Sequence, residues 1–72
     1  MKMDPQTKEL VAIATSLAVK CQPCLALHCK LAKELGVGEE LIRETVQLAQ
    51  DIRAAADKKM DELVERQLAQ AP

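Results

Sequence analysis

The chain contains no phenylalanine, tyrosine or tryptophan among its 72 residues. A hydrophobic core must therefore be built from leucine, isoleucine, valine, alanine and methionine. Hydrophobic residues still make up 49% of the sequence, a share typical of a folding domain. A chain this short fits one small domain and buries little surface by itself. We therefore expect a single domain over residues 1–72 that assembles into a homo-oligomer.

Neither sign of charge is in excess, and long hydrophobic runs are missing. Lys and Arg number 10 against 11 Asp and Glu, which gives a net charge of -1. That balance excludes the basic surface of a nucleic-acid-binding protein and a polybasic membrane anchor. No apolar segment approaches the ~20 residues that cross a bilayer, and residues 1–5 lead into a charged helix start and not a signal peptide. We expect a cytoplasmic protein that binds neither nucleic acid nor membranes.

Glycine is scarce and the alternation typical of strands is missing, so the sequence predicts an all-α fold: a helical hairpin followed by a long third helix. Asp4 and Pro5 form a helix start, and the nearly continuous apolar stretch 10–19 predicts a first helix buried on more than one side. A second helix begins at Cys21 and ends at Gly36 as its C-cap. The apolar face predicted for the second helix consists of Cys24, Leu27, Leu31 and Leu35.

The third helix is predicted to run from Gly38 to about residue 69, with a possible kink near residues 54–57. Its apolar stripes indicate a family-like core over about residues 8–56 and a helical arm over about residues 57–70. We expect this amphipathic arm to pack on another subunit; the alternative is a solvated tail. The predicted stripes consist of Ile42, Val46, Ala49, Ala56, Met60 and Leu63, and of Leu41, Leu48, Ile52 and Ala55 beside them.

All three cysteines and the single histidine fall within residues 21–30. An odd number of cysteines so close together cannot form a disulfide scaffold, so metal binding or redox chemistry is indicated. Cys21 and Cys24 share one helix face, and their sulfurs can bond to each other with little backbone motion. The helix N-terminus favours the thiolate form. His28 follows Cys24 by one turn, so the pattern predicts a dithiol with its own base.

Other interpretations of this cluster stay open. Zinc accepts sulfur and nitrogen ligands, but Cys21, Cys24 and His28 supply three of the four that a structural site needs. A non-enzymatic helical oligomer, acting as a scaffold or a redox-sensing module, is a further hypothesis. Cys29 lies about 100° around the helix from His28. We expect it to pack in the core, and a regulatory or intersubunit disulfide is its alternative role.

A longer pattern around the cysteines resembles a known family. Glu9, eleven intervening residues, the Cys21-x-x-Cys24 pair, three residues and His28 form a spacing similar to that of the alkyl hydroperoxidase D branch of the carboxymuconolactone decarboxylase family. The similarity extends over residues 8–49 and includes the Gly-Val-Gly-Glu-Glu entry to the third helix.

The resemblance implies an oligomeric thiol enzyme, a trimer or hexamer, without metal or cofactor other than a redox-active disulfide. It implies that Cys24 attacks a small hydroperoxide, that Cys21 then forms a disulfide with it, and that a lipoyl or thioredoxin-like dithiol reduces the pair. His28 is implied as the proton acceptor, with Glu9 behind it. A general protein disulfide oxidoreductase is the alternative enzyme.

Simple helix geometry is less favourable for Glu9. If the first two helices form an antiparallel hairpin that turns near Lys20, His28 lies beside Ile13. Glu9 is then one turn further along, about 6 Å at ~1.5 Å per residue. A bridging water or a tilted helix crossing could close this distance, so the sequence leaves open whether Glu9 reaches His28.

Overall fold

The structure, a computed structural model, describes residues 2–70 and contains three helices in that part of the chain. Helix α1 spans Pro5–Ala18, α2 spans Gln22–Glu34 and α3 spans Glu39–Ala69. No strand occurs within residues 2–70, so the all-α prediction is confirmed. The division into a core and an arm stays a prediction. The predicted domain limits also include three residues outside the described part: Met1, Ala71 and Pro72.

Helix α1 begins as its sequence predicts. Asp4 is the N-cap, and Pro5 is the first helical residue. The Asp4 carboxylate accepts hydrogen bonds from the Thr7 hydroxyl at 2.7 Å and the Thr7 backbone N–H at 2.9 Å. Both bonds stabilise the ionised carboxylate and hold the pKa of Asp4 below its usual value, and the bond from the Thr7 hydroxyl has the larger effect.

A tight turn between α1 and α2 sets the position of Cys21. The Cys21 N–H donates to Ser16 O at 2.9 Å and the Lys20 N–H to Leu17 O at 3.3 Å, the bond pattern of a Schellman motif. This turn requires a left-handed residue, and Lys20 adopts φ 59°. The same motif ends α2 at Gly36, with φ 81°, as predicted. Glycine tolerates this conformation freely, whereas a side chain such as that of Lys20 makes it less favourable by about 1 kcal/mol.

The hydrophobic core lies where α1 packs against both other helices, while α2 and α3 touch each other only narrowly. Within the described part, four hydrophobic side chains are buried, and a second set packs partly buried around them. The buried set is Ile13, Ala32, Val37 and Ile42. The surrounding set is Leu10, Leu17, Leu25, Cys29 and Val46. Cys29 thus packs against the core, as predicted.

The inward face of α2 differs from the predicted one. Leu27 and Leu35 are 51% and 42% exposed, so the prediction is wrong for both leucines. The stripe that faces the core is instead formed by Leu25, Cys29 and Ala32, at the i, i+4 and i+7 positions of a helix face. The predicted face was chosen because it contains three leucines, which are larger than Cys29 and Ala32. The small Cys29 and Ala32 side chains allow α1 and α2 to approach more closely.

Helix α1 is buried on one side only. Val11 and Val19 are 49% and 66% exposed in the single chain, so burial on more than one side is not observed. The physical reason is that α2 and α3 together cover one broad face of α1, and nothing in the described chain lies over the opposite face.

Helix α3, with 31 residues, is more than twice as long as α1 or α2, which have 14 and 13. It stays α-helical through residues 54–57, so the possible break there is absent. Beyond Arg53 every described side chain except Glu62 is exposed. The molecule measures 56 × 23 × 21 Å with a radius of gyration of 16.5 Å, compared with about 11 Å for a compact domain of this length. No helix within residues 2–70 is both long enough and apolar enough to cross a membrane.

Candidate redox-active site

Cys21 and Cys24 are joined by a disulfide at the N-terminus of α2, with a Cα–Cα distance of 5.3 Å. Cys21 is the N-cap residue, and its sulfur accepts a hydrogen bond from the Cys24 backbone N–H at 3.3 Å. Both cysteines are half-buried. A sulfur at this position lies among the unpaired N–H groups of a helix start, which favour negative charge. The site therefore supports a thiolate once the disulfide is reduced.

Glu9 and His28 form a direct pair across the α1–α2 interface. Glu9 Oε2 lies 2.6 Å from His28 Nδ1. Glu9 is only 7% exposed, and His28 is half-buried. An ionised carboxylate only accepts hydrogen bonds, so we assign the proton of the pair to Nδ1. In the neutral imidazole, Nε2 is then left as the proton acceptor.

The 2.6 Å contact closes the gap that helix geometry gives for parallel axes, and no bridging water is needed. The glutamate side chain is long enough to span one helical turn. Gln6 behaves in the same way one turn earlier, since its Nε2 donates to Leu35 O at 2.8 Å. Long polar side chains of α1 thus reach across to α2.

Two open cavities adjoin the disulfide, one lined by Cys24 and the other by Cys21. The first, named the Cys24 cavity, has a volume of about 290 Å³ and contains both Cys24 and His28 in its wall. One surface depression therefore holds a reactive sulfur and the imidazole paired with Glu9. The remaining lining residues are Met3, Lys8, Val11, Ala12, Thr15, Ser16 and Val19.

The second depression, named the Cys21 cavity, has a volume of about 300 Å³. Cys21 lies in its wall, and two cationic side chains, Lys20 and Arg53, line it with the sulfur. The two sulfurs of one disulfide thus open onto cavities of different character. The remaining lining residues are Ser16, Leu17, Gln22 and Leu25.

Two residues of this region were missed by the sequence analysis. Ser16 is 4% exposed, donates from its hydroxyl to Ala12 O at 2.6 Å, and lines both cavities. Arg53 reaches from α3 to Leu17 O at 3.3 Å. A signal for each was present: a serine within the apolar run of α1, and an arginine at a helical spacing that continues the stripe of Val46 and Ala49.

Within residues 2–70, the His, Cys, Asp and Glu side chains do not form a group of three or more that could hold a metal ion. Cys29 is the free cysteine of the described part, and it is half-buried against the core. The structure thus unites Cys21 with Cys24 and Glu9 with His28, and places Cys24 and His28 in one cavity.

Fold and site together define a small all-helical protein with a cysteine pair at disulfide distance, an arrangement compatible with redox function. The carboxymuconolactone decarboxylase family model matches residues 2–61. Because this match covers most of the chain, the protein belongs to the carboxymuconolactone decarboxylase family.

A curated relative supports the same family relationship but adds no activity. The chain is 35% identical over 54 residues to "Uncharacterized protein 4 in cox locus" of Paracoccus denitrificans, and the match covers 75% of this chain and 49% of that protein. The chain thus spans about half the length of that relative. No solved structure matches the chain significantly.

Proposed function

We propose that the protein is a thiol-dependent hydroperoxide reductase of the alkyl hydroperoxidase D-like branch, which cycles Cys21 and Cys24 between dithiol and disulfide. The observation that carries this proposal is the 2.6 Å bond between Glu9 and His28. It orients the imidazole and leaves Nε2 as the proton acceptor of the neutral ring, and His28 lines the same cavity as Cys24.

The first step consumes the hydroperoxide. Nε2 of His28 takes the proton of the Cys24 thiol, and the thiolate attacks the distal oxygen of ROOH. The O–O bond breaks, a sulfur–oxygen bond forms, and the alkoxide leaves as ROH with the proton that His28 returns. Cys24 is thereby oxidised to a sulfenic acid, and the buried Glu9 carboxylate stabilises the transient imidazolium.

The second step forms the disulfide seen in the structure. The Cys21 sulfur attacks the Cys24 sulfenic sulfur, and hydroxide leaves with the Cys21 proton as water. A dithiol donor, lipoyl or thioredoxin-like, then reduces the disulfide by thiol–disulfide exchange and takes away two electrons. We place this cycle in the cytoplasm, where the reducing thiol pool keeps such donors reduced. The cycle uses no metal and no cofactor other than the disulfide.

We also propose that the protein works as a homo-oligomer, a trimer or hexamer. Large hydrophobic side chains remain exposed along the whole of α3, including Ile52, Met60 and Leu68 at 63%, 60% and 75%. The radius of gyration is about one and a half times that of a compact domain. An extended apolar face on a small soluble chain is typical of a subunit interface, and the arm over about residues 57–70 provides such a face.

The proposed reaction is tested with the reduced protein and cumene hydroperoxide. We expect two of the three thiols of each chain to be lost and to return with dithiothreitol. In Cys24→Ser, the two thiols that remain, those of Cys21 and Cys29, should both persist. The matched control is Cys29→Ser, which changes one sulfur to oxygen outside the pair and should lose two thiols like the wild type. Thiols that survive a large excess of hydroperoxide would contradict the proposal.

A general protein disulfide oxidoreductase is the second candidate. It is favoured by Cys21, whose sulfur lies at a helix N-terminus and opens onto a cavity separate from that of His28. Reduction of insulin disulfides distinguishes the candidates, because an oxidoreductase catalyses it and needs no hydroperoxide. A non-enzymatic helical module would catalyse neither reaction.

A further inference from the structure

The Cys21 cavity is lined by one cysteine of the disulfide and by two cationic side chains. These charges indicate which kind of thiol can approach the disulfide as a reductant. Lys20 and Arg53 line the cavity, and no carboxylate does. Neither cation has an ion-pair partner within residues 2–70. Arg53 donates to the carbonyl of Leu17, and its guanidinium group has five N–H donors in all. The cavity thus presents uncompensated positive charge beside Cys21.

Lys20 gives an independent reason to regard this charge as functional. Its φ of 59° lies in the left-handed region, which an L-residue adopts at an energetic cost. The equivalent position after α2 is Gly36, which adopts that conformation without a side-chain clash. Unfavourable backbone conformations of this kind concentrate at functional sites. The turn itself would form more easily with glycine, so we infer that the charge of the Lys20 side chain has a function of its own.

We infer that the disulfide is reduced from the Cys21 cavity by a small thiol that carries an anionic group close to its sulfur. The cavity volume of about 300 Å³ lies at the lower end of the range for small-molecule sites. Leu17 and Leu25 supply an apolar wall, while Lys20 and Arg53 attract the anionic group. This inference rests on the proposed function, because it assigns the reductive half of the same cycle, with a small anionic thiol in place of the lipoyl or thioredoxin-like donor.

The chemistry proceeds by two exchanges. The thiolate of the reductant attacks Cys21 Sγ, so that a new S–S bond forms, the Cys21–Cys24 bond breaks, and Cys24 leaves as a thiolate into the cavity with His28. A second thiolate of the reductant, from the same or another molecule, attacks the reductant sulfur of the mixed disulfide. Cys21 is released as a thiolate beside the Cys24 N–H. Two thiols of the reductant become a disulfide, and their protons pass to the two cysteines.

The test uses the oxidised full-length protein and no hydroperoxide, so its outcome is independent of peroxidase activity. Two thiols of similar size are compared: 2-mercaptoethanesulfonate, which is anionic, and 2-mercaptoethanol, which is neutral. The ratio of their rates of disulfide reduction is measured for each variant, so that the intrinsic reactivity of each thiol cancels. We expect Lys20→Gln and Arg53→Gln each to lower this ratio about three- to tenfold, the effect of removing one nearby charge in a solvated cavity.

The control is Lys30→Gln, which removes the same charge from an exposed position of α2 outside the Cys21 cavity. We expect it to leave the ratio unchanged, and Lys20→Arg to retain the wild-type ratio. In 1 M salt, where the Debye length is ~3 Å, the wild-type ratio should fall towards that of the variants. An unchanged ratio in the Lys20 and Arg53 variants, or an equal fall in Lys30→Gln, would overturn the inference.

The point of attack is tested separately by acid quenching during the reaction. Tandem mass spectrometry of the peptide over residues 21–30 distinguishes a mixed disulfide on Cys21 from one on Cys24. We expect the 2-mercaptoethanesulfonate adduct on Cys21. An adduct found on Cys24 would show that the reductant enters from the other cavity and would overturn the assignment.

Discussion

At the scale of single residues, the site depends on one long side chain crossing a helix interface. Glu9 is nearly buried, and its carboxylate meets His28 at 2.6 Å. A buried carboxylate is unfavourable without a hydrogen-bonding partner. The single bond between Glu9 and His28 provides that partner and also fixes the orientation of the imidazole ring. Because this bond uses Nδ1, Nε2 is the nitrogen of the neutral ring that can accept a proton. In the proposed mechanism, Glu9 is therefore a positioning residue for His28, the base that serves Cys24.

Replacement of Glu9 by Gln tests this role. The amide keeps the size of the side chain but loses the charge that stabilises the imidazolium, so we expect the rate of Cys24 oxidation by hydroperoxide to fall about tenfold. His28→Ala should lower it about 100-fold, in the range of general base catalysis. Stopped-flow measurement of thiol loss gives both rates. Glu44→Gln, the same change at an exposed position of α3, is the control, and an equal loss there would contradict the assignment.

Asp4 gives a pH-dependent prediction about folding. Its bonds to Thr7 hold the pKa of the carboxyl below its usual value in the folded state. A depressed folded pKa contributes stability above the unfolded pKa, about 3.9, and this contribution is lost as pH falls through the folded pKa. Asp4→Asn keeps a capping side chain. We therefore expect its melting temperature, followed by circular dichroism, to depend less on pH than that of the wild type between pH 5 and about 2.

Asp4→Ala removes the cap itself and should lower the melting temperature at pH 7 by a few degrees. A wild-type protein whose acid sensitivity equals that of Asp4→Asn would show that the Asp4 carboxylate is not involved.

At the scale of secondary-structure elements, the turn after α1 determines where the site lies. The Schellman bonds of Lys20 and Cys21 close α1 and make Cys21 the N-cap of the next helix. Three residues therefore separate the last residue of α1 from the first of α2, and the disulfide lies at the tip of the hairpin. Each of the two cysteines lines a cavity of its own there.

Lys20→Gly separates the backbone requirement of this turn from the chemistry of the side chain. Glycine adopts the observed φ without a clash, but it has more freedom in the unfolded chain, so we expect a net stabilisation of about 0.5–1 kcal/mol. Urea unfolding monitored by circular dichroism measures it. Our account predicts higher stability together with weaker preference for an anionic thiol. A variant that loses stability would show that the lysine side chain, and not the backbone, governs the turn.

At the scale of the whole molecule, the single chain does not bury all of its apolar surface. Its longest dimension is 56 Å, whereas the 31 residues of α3 span about 46 Å at ~1.5 Å per residue. The apolar side chains of α3 beyond Arg53 lie exposed. A groove of about 410 Å³ between α1 and α3 is lined by four alanines together with Thr15, Ile52 and Arg53. Small residues permit close approach of another helix, so this groove and the arm over about residues 57–70 form our predicted subunit contact.

Ile52→Glu tests that contact. A charge buried in an apolar interface is strongly unfavourable, so we expect the assembly to dissociate into chains of 7.9 kDa with a lower melting temperature. Sedimentation velocity measures the mass. Gln50→Glu adds the same charge at an exposed neighbouring position and should leave the assembly intact. A wild-type protein that sediments as a monomer at micromolar concentrations would contradict the oligomer proposal.

Local signals in the sequence were sufficient for the helix ends and for the grouping of the reactive residues. Asp4 and Pro5 predict the start of α1 because capping involves only neighbouring residues, and the spacing of Cys21 and Cys24 predicts their bond for the same reason. The inward face of α2 was mispredicted because several stripes are apolar, and the partner helix selects among them. For Arg53, helical spacing indicates only that it continues the stripe of Val46 and Ala49; the packing of α1 against α3 brings it into the wall of the Cys21 cavity, and the sequence does not contain that information.

The contact between Glu9 and His28 shows a second limit. Helix periodicity predicts where backbones lie, but it does not predict which rotamer lets a glutamate span a turn. The resemblance to a family pattern named Glu9 as a candidate, whereas the axial estimate left its contact with His28 open. The contact depends on tertiary packing, and the spacing of residues along the chain does not contain that information.

The central claim is that Cys24, next to His28, is the sulfur that hydroperoxide oxidises. It is tested most directly in the Cys21→Ser variant, where the sulfenic acid cannot form the Cys21–Cys24 disulfide and can be trapped with dimedone. Treatment with one equivalent of cumene hydroperoxide should give one dimedone adduct per chain, located on Cys24 by tandem mass spectrometry. No adduct, or an adduct on Cys29 in place of Cys24, would contradict the account.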